Sequence, residues 1–181
     1  VWAKEIGSVA APTASLHFDK NLLFKLEDKG VSITFITLHV GAGTFLPVKV
    51  DEISEHKMHP EIGYISEAAA LEINESKSRG HRVIPVGTTA LRLIESAAQK
   101  NDIVSAWSGK TDIFIYPGFK FKVADGLMTN FHLPKSTLLC LVASFLTPGS
   151  EEGIQWLQEL YAEAIDRKYR FYSYGDAMLI L

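Results

Sequence analysis

Cysteine is all but missing from this chain: Cys140 is the only one among 181 residues. A lone thiol inside the apolar run LLCLVASF excludes a disulfide framework and a thiolate metal cluster, and it suits a reducing compartment. Neither sign of charge predominates. The 18 Lys and Arg stand against 21 Asp and Glu, for a net charge of −3. No broad basic face is on offer, so any nucleic-acid contact has to come from a local patch. No apolar stretch reaches the roughly eighteen residues of a membrane-spanning helix, and no secretory leader opens the chain. A cytoplasmic protein with no membrane partner is expected by elimination, and a monomer. Signatures of a protein nucleophile are missing too. No GxSxG elbow surrounds Ser8, Ser15 or Ser136, and no two histidines have HExxH spacing. The opening Val1-Trp2-Ala3-Lys4 lacks an initiator Met and reads as the middle of a protein, with residues expected upstream.

What is present is ordinary globular composition, 47% hydrophobic and 22% charged, enough for one domain over 1–181 with its own core. Leu22, Leu23 and Leu26 at helical spacing predict a helix over 19–29, capped by Asp19 and stopped by Gly30. The β-branched run VSITFITLHV (31–40) predicts a strand. A helix is expected over 66–79, ended by Gly80. The run HRVIPVG (81–87) reads as a strand passing into a helix at 88–100. Further strands are expected at 111–117 and within 121–131. The run 136–147 predicts a buried helix. Ser150 is expected to cap a last helix whose stripe is Ile154, Leu157, Leu160, Tyr161, Ala164 and Ile165. The end, RFYSYGDAMLIL, reads as two short strand-like pieces around Gly175. Strands alternating with helices predict an α/β fold, a layered mixed sheet with flanking helices.

Three stretches carry candidate chemistry. In GLMTNFHLPKSTLLCLVASF (126–145) an apolar segment pauses for Asn130, His132, Lys135, Ser136 and Thr137 around one proline. It reads either as a site between two core elements or as a strand, a turn and a helix capped by Ser136 or Thr137. HVGAGTF (39–45) has two glycines after a strand but lacks the third glycine and the helix of a dinucleotide fingerprint. Either it is a tight turn, or Gly41 and Gly43 let a ligand approach the backbone. In VGTTALRLIES (86–96) a strand runs through Gly87 to Thr88 and Thr89 at a helix start, a natural anion or carboxylate site. Arg92 and Glu95 follow one turn apart, where a surface ion pair is the plainer meaning. His56 and His59, near Glu55 and Glu61, read as a hydrogen-bonded polar turn in preference to a divalent-ion site, and no metal is expected. With no nucleophile on the protein, the attacking atom of an enzyme would belong to a substrate.

Seven phrases occur here in one order: AAPTASLHF (10–18), HVGAGTF (39–45), MHPE (58–61), GTTALRLIES (87–96), DIFIYPGFKF (112–121), TNFHLPKSTLL (129–139) and RFYSYGDAMLI (170–180). The chain resembles, over essentially its whole length, the S-adenosylmethionine:tRNA ribosyltransferase-isomerase family of the queuosine pathway. The resemblance implies a Rossmann-like catalytic α/β domain, the family's β-barrel domain lying before the point where this chain begins. It implies that the ribosyl part of S-adenosylmethionine, a co-substrate, moves onto 7-aminomethyl-7-deazaguanine at the wobble position of a tRNA anticodon stem-loop. Epoxyqueuosine forms while adenine and methionine leave. His17 and His132 would then be base or proton shuttle. Gly41, Gly43 and Thr44, with Thr88 and Thr89, would cradle the methionine and ribose ends. Arg92 would meet the methionine carboxylate, oriented by Glu95. Asn130, Lys135 and Ser136 would bind ribose or adenine, and Asp176 would be structural or hold a substrate amine.

The chain departs from the family pattern at Ser15, where glycine is usual, at Leu46, where arginine is usual, and in a longer 147–153 turn. Basic candidates for RNA are Lys77, Arg79, His81 and Arg82, and separately Lys120 and Lys122, all equally readable as solvated faces. The rival readings are a ligand-binding α/β module and an enzyme acting on a free nucleotide without tRNA.

Overall fold

The computed structural model describes residues 7–8, 10–41, 50, 52–98 and 102–181. Most helices begin where a side chain accepts amide protons that the first turn leaves unpaired. Asp19 accepts from Leu22 N–H at 2.6 Å and opens α1 (Lys20–Asp28). Ser66 accepts from Ala69 N–H at 3.1 Å and opens α2 (Glu67–Ser78). α3 (Thr88–Ala97) follows Gly87 with no side-chain cap. Ser136 accepts from Leu139 N–H at 3.2 Å and opens α4 (Thr137–Leu146).

α5 (Gly153–Asp166) starts later than the sequence suggests. The Ser150 hydroxyl accepts from Glu152 N–H at 3.2 Å, which completes a turn before any helix forms. Gly153 then sits where α4 and α5 touch: a Cβ there would lie 1.9 Å from the Ala143 carbonyl oxygen. Leu157 and Ala164 of the expected stripe are buried, whereas Ile154, Leu160 and Ile165 stay exposed.

Three strands, β1 (Thr37–His39), β2 (Glu61–Ile65) and β3 (Trp107–Thr111), form an antiparallel sheet in that order. β4 (Leu127–Asn130) pairs antiparallel with β5 (Ala177–Ile180), bringing Asn130 opposite Ala177. A parallel bridge joins Val86 to Met128. There Gly87 N–H donates to Met128 O at 2.8 Å and Met128 N–H to Pro85 O at 3.0 Å. Residues 85–87, β4 and β5 thus make a small mixed arrangement, with α3 leaving from the carboxyl end of 85–87. The α/β class stands, as two small sheets with helices packed on them.

Several strand boundaries differ from expectation. Of 31–40 only Thr37–His39 pairs, and of 81–87 only the last three residues engage β4. The strand expected at 111–117 lies earlier, in WSGKT, a poor strand former on propensity. Pairing decides, because β2 lies alongside and takes all five residues. The more apolar DIFIYP runs on without a named strand, burying Ile113 and Ile115. Side chains satisfy part of its backbone: Thr111 Oγ1 accepts from Ile113 N–H, and Ser144 Oγ donates to Tyr116 O. In the last stretch only Ala177–Ile180 is a strand, because residues 170–175 close on themselves in turns.

Two apolar clusters meet at α3. Leu93 and Ile94 pack with Ile65, Ile73 and Val123. Leu91 packs with Ile115, Leu127, Leu141 and Leu157. α3 is therefore fixed from both sides, and its first turn inherits that rigidity. Among the described residues no helix is long and apolar enough to cross a membrane.

Candidate functional site

Parallel strand segments end on the same edge, and in α/β proteins that edge is where ligands bind. Here 85–87 and β4 both deliver their carboxyl ends to one place. Gly87, at φ 95, turns the chain from extended backbone into α3, a conformation that a side chain would oppose. Thr88 is buried and Thr89 half-buried beside it. β4 ends at Asn130, which is 4% exposed, and β5, being antiparallel, contributes its start.

Asn130 is the hub of this edge. Its Oδ1 accepts from Thr13 Oγ1 at 3.1 Å, and its Nδ2 lies 3.2 Å from His17 Nε2. That amide also reaches the Asp176 carbonyl oxygen at 3.5 Å. With the Thr13 hydroxyl donating to Oδ1, the amide nitrogen faces His17, and Nε2 of that ring is the accepting nitrogen. Three stretches far apart in sequence, 10–18, 129–132 and 170–176, converge on one side chain. Thr13 and His17 are brought in by a 3-10 turn, Thr13–His17.

His132 stands beside this hub. Its Nε2 lies 2.9 Å from Thr129 Oγ1, and its backbone N–H donates to the Tyr161 hydroxyl at 2.9 Å. Burial pushes the imidazole down to about 4, so it is neutral near pH 7 and a weak base. Burial also pushes the Tyr161 phenol up to about 12, against the His132 N–H that it accepts. Ser136 caps α4 and donates to Leu133 O at 2.7 Å, which bears out the turn-and-cap reading for that residue. Lys135 is exposed at φ 58.

Asp176 belongs to a local clasp. Its Oδ2 accepts from Arg170 N–H at 2.8 Å, and its Oδ1 from Arg170 Nη2 at 2.7 Å and Nε at 3.3 Å. The Arg170 side chain, then its backbone N–H, holds the carboxyl below its usual range, with a smaller pull from His17. What Asp176 offers the edge is its carbonyl oxygen.

A second cluster lies one turn into α3. Arg92 Nη1 donates to Glu61 Oε2 at 2.6 Å, and both side chains are almost wholly buried. Glu61 Oε1 accepts from Gly41 N–H at 3.1 Å. Arg92 Nε and Nη2 have no partner among the described residues. Arg92 also lines a cavity of about 10 Å³, together with Met58, Phe114 and Thr137. The expected Arg92–Glu95 partnership is not what forms. Glu95, 1% exposed, accepts from the backbone N–H groups of Lys122, Val123 and Ala124 at 2.9–3.0 Å. A carboxylate ringed by three amides fixes the 122–124 turn and leaves Arg92 to Glu61.

Gly43, Thr44 and Leu46 lie outside the described residues. His56 packs its ring on Phe114 at 5.0 Å. Among the described residues no three His, Cys, Asp or Glu gather as metal ligands would. Three of the six expected basic candidates are paired: Lys77 with Asp125 at 2.7 Å, Arg79 with Glu75 at 3.2 Å and Lys122 with Asp102 at 3.2 Å.

Sequence reasoning missed Thr13, Glu61 and Tyr161 as site residues. For Glu61 a signal existed. In EIGYI the alternation that buries Gly63 and Ile65 also buries Glu61, and a carboxylate on a core face needs a cation.

Comparison with known proteins gives concordant results. A family model described as "Queuosine biosynthesis protein" matches residues 1–180. The chain is 59% identical to an S-adenosylmethionine:tRNA ribosyltransferase-isomerase of Ruegeria sp. (strain TM1040) over 181 residues, 100% of this chain and 50% of that protein. It is 61% identical to the Ruegeria pomeroyi protein of the same name, with the same coverage. A crystal structure of S-adenosylmethionine tRNA ribosyltransferase from Thermotoga maritima matches with a TM-score of 0.73 and 41% identity. That match covers 93% of this chain and 51% of the other. The chain spans about half the length of these curated relatives.

Proposed function

The chain belongs to the queuosine biosynthesis protein family, and on that premise we propose that it supplies the part of a longer ribosyltransferase-isomerase where S-adenosylmethionine and tRNA meet. The ribosyl portion of the sulfonium moves onto the aminomethyl nitrogen of 7-aminomethyl-7-deazaguanine at the wobble position. It then rearranges to the epoxycyclopentane of epoxyqueuosine as adenine and methionine leave. The observation that carries this reading is the Asn130 hub, which seats His17 on the edge where α3 begins.

A sulfonium acidifies its neighbouring C–H bonds, so a positioned base can form an ylide. The acceptor's own amine supplies the attacking nitrogen, and no protein nucleophile is required. His17 takes the part of base: the Asn130 amide holds the ring with Nε2 unprotonated, and the substrate displaces that amide before Nε2 takes the proton. His132 is too weak a base for that step and instead orients the β4 end through Thr129. The unpaired amides of the first turn of α3, with Thr88 and Thr89, receive the methionine carboxylate. Arg92 holds Gly41 in place through Glu61. The cavity beside Arg92 admits a group the size of one water, so the carboxylate is assigned to α3. Lys135 lies at the rim for the RNA.

The test is adenine release. Full-length protein is incubated with S-adenosylmethionine and an anticodon stem-loop bearing the modified guanine. Adenine is expected only when both are present, and at least a hundredfold more slowly in His17→Ala, since a positioned base contributes about 10²–10⁴-fold. Equal release without RNA would indicate an enzyme of free nucleosides. No release at all would defeat the reading.

A further inference from the structure

From the turn at 168–174 we infer a nucleobase-stacking platform for single-stranded RNA, with Tyr174 as its most exposed ring and Tyr172 and Tyr169 on the same turn. The inference rests on the RNA-acting reading above and adds where the loop of that RNA is held.

Aromatic side chains are normally drawn inward, and here the inner ones are. Phe131, Tyr161 and Phe171 pack ring on ring at 4.7–5.4 Å. Tyr169 sits at 5.9 Å from Phe131 and Tyr172 at 6.3 Å from Phe171, so both lean outward from that stack. Tyr174 has 87% of its surface exposed, Tyr172 51% and Tyr169 46%. Three tyrosines within six residues, all open to solvent on an aromatic base, exceed what scattered surface apolar residues would give.

The backbone is held in an unfavourable shape to present them. Tyr172 has φ 69 and Lys168 φ 61, a region that non-glycine residues rarely adopt. Tyr172 N–H donates to Phe131 O at 3.0 Å, Gly175 N–H to Tyr172 O at 3.0 Å and Asp176 N–H to Arg170 O at 2.7 Å. With the Arg170–Asp176 clasp, these bonds fix the turn against the loop that carries His132. A turn whose backbone is fixed in advance loses little freedom on binding.

Position and charge select the occupant. The turn leads directly into Asp176, whose carbonyl reaches Asn130, so the tyrosines and the proposed site share one continuous segment. Lys168 is exposed on the same turn and Lys135 on the neighbouring loop, while Arg170 is held by Asp176. Unstacked bases beside a few cations is the chemistry by which single-stranded RNA is held. Of the alternative basic candidates, Lys77, Arg79 and Lys122 face carboxylates.

The test uses the full-length protein and an unmodified 17-nucleotide anticodon stem-loop, with affinity read by fluorescence anisotropy. Tyr174→Ala is expected to weaken binding about tenfold to a hundredfold, as loss of a stacked ring does. Tyr174→Phe should bind within about twofold of the parent, because stacking needs the ring and not the hydroxyl. Tyr64→Ala, on the outer face of β2, should bind unchanged. The KM for S-adenosylmethionine should be unaltered in all three. Wild-type affinity in Tyr174→Ala, or equal losses in the Phe and Ala variants, would overturn the inference while leaving adenine release, and so the ribosyl-transfer reading, intact. Hydroxyl-radical footprinting gives a second readout. Tyr174 should be oxidised in the free full-length protein and protected by the stem-loop; a ring already shielded without RNA would overturn it too.

Discussion

Arg92 and Glu61 form a buried ion pair at 2.6 Å that ties α3 to β2, and through Gly41 N–H to the glycine loop. A pair withdrawn from water gives little net stability, but removing one partner strands the other. Glu61→Ala is expected to cost about 3–5 kcal/mol in urea unfolding. Joint replacement, Glu61→Leu with Arg92→Met, should recover more than half of that. A single variant losing under about 1 kcal/mol would show that the pair is solvated.

Asn130 makes a narrower prediction. Asn130→Asp keeps an acceptor for the Thr13 hydroxyl but loses the amide that faces His17. Adenine release should fall about a hundredfold or more, with the far-UV circular dichroism unchanged. Parent-like turnover would detach His17 from Asn130.

His132 fixes a pH window. Its folded value near 4 lies below the 6.5 of the unfolded chain, so at pH between these the unfolded state takes up a proton that the folded state refuses. The contribution of His132 to stability is complete above about pH 6.5, falls as pH is lowered, and is lost by about pH 4, a change of about 3 kcal/mol. Unfolding free energies at pH 7.5 and 4.5 should differ by less in His132→Gln than in the parent. Equal pH slopes would show the ring to be solvated.

Gly153 opposes a general trend. Glycine to alanine usually favours a helix by about 1 kcal/mol, yet a Cβ here would overlap the Ala143 carbonyl. Gly153→Ala should therefore lose about 1–3 kcal/mol and melt several degrees lower. A higher melting temperature would mean that α4 and α5 separate easily.

The helices were legible because their signals are local. Asp19, Ser66 and Ser136 announce their helices in the sequence and cap them in the structure. The strands were less so, because WSGKT pairs only by virtue of β2 lying alongside, information held 46 residues away (Gly63 to Gly109). His17, Asn130 and Asp176 were each recognisable from their motifs, but not their meeting at one amide. Arg92 stood out as a cation inside an apolar helix, yet helical spacing suggested Glu95 as its partner. The three backbone amides that occupy Glu95, and the strand that presents Glu61, lie at separations no helical rule can reach.

The α4–α5 connection at 147–152 has a practical use. Ten residues of α4 rise about 15 Å, so its far end stands well away from Ser136 and the neighbouring ligand edge. Glu151 is open to water there, and Cys140 is the one thiol within these 181 residues. A fluorophore coupled at Glu151→Cys in a Cys140→Ala background would report on arrival of the proposed RNA without obstructing the proposed site.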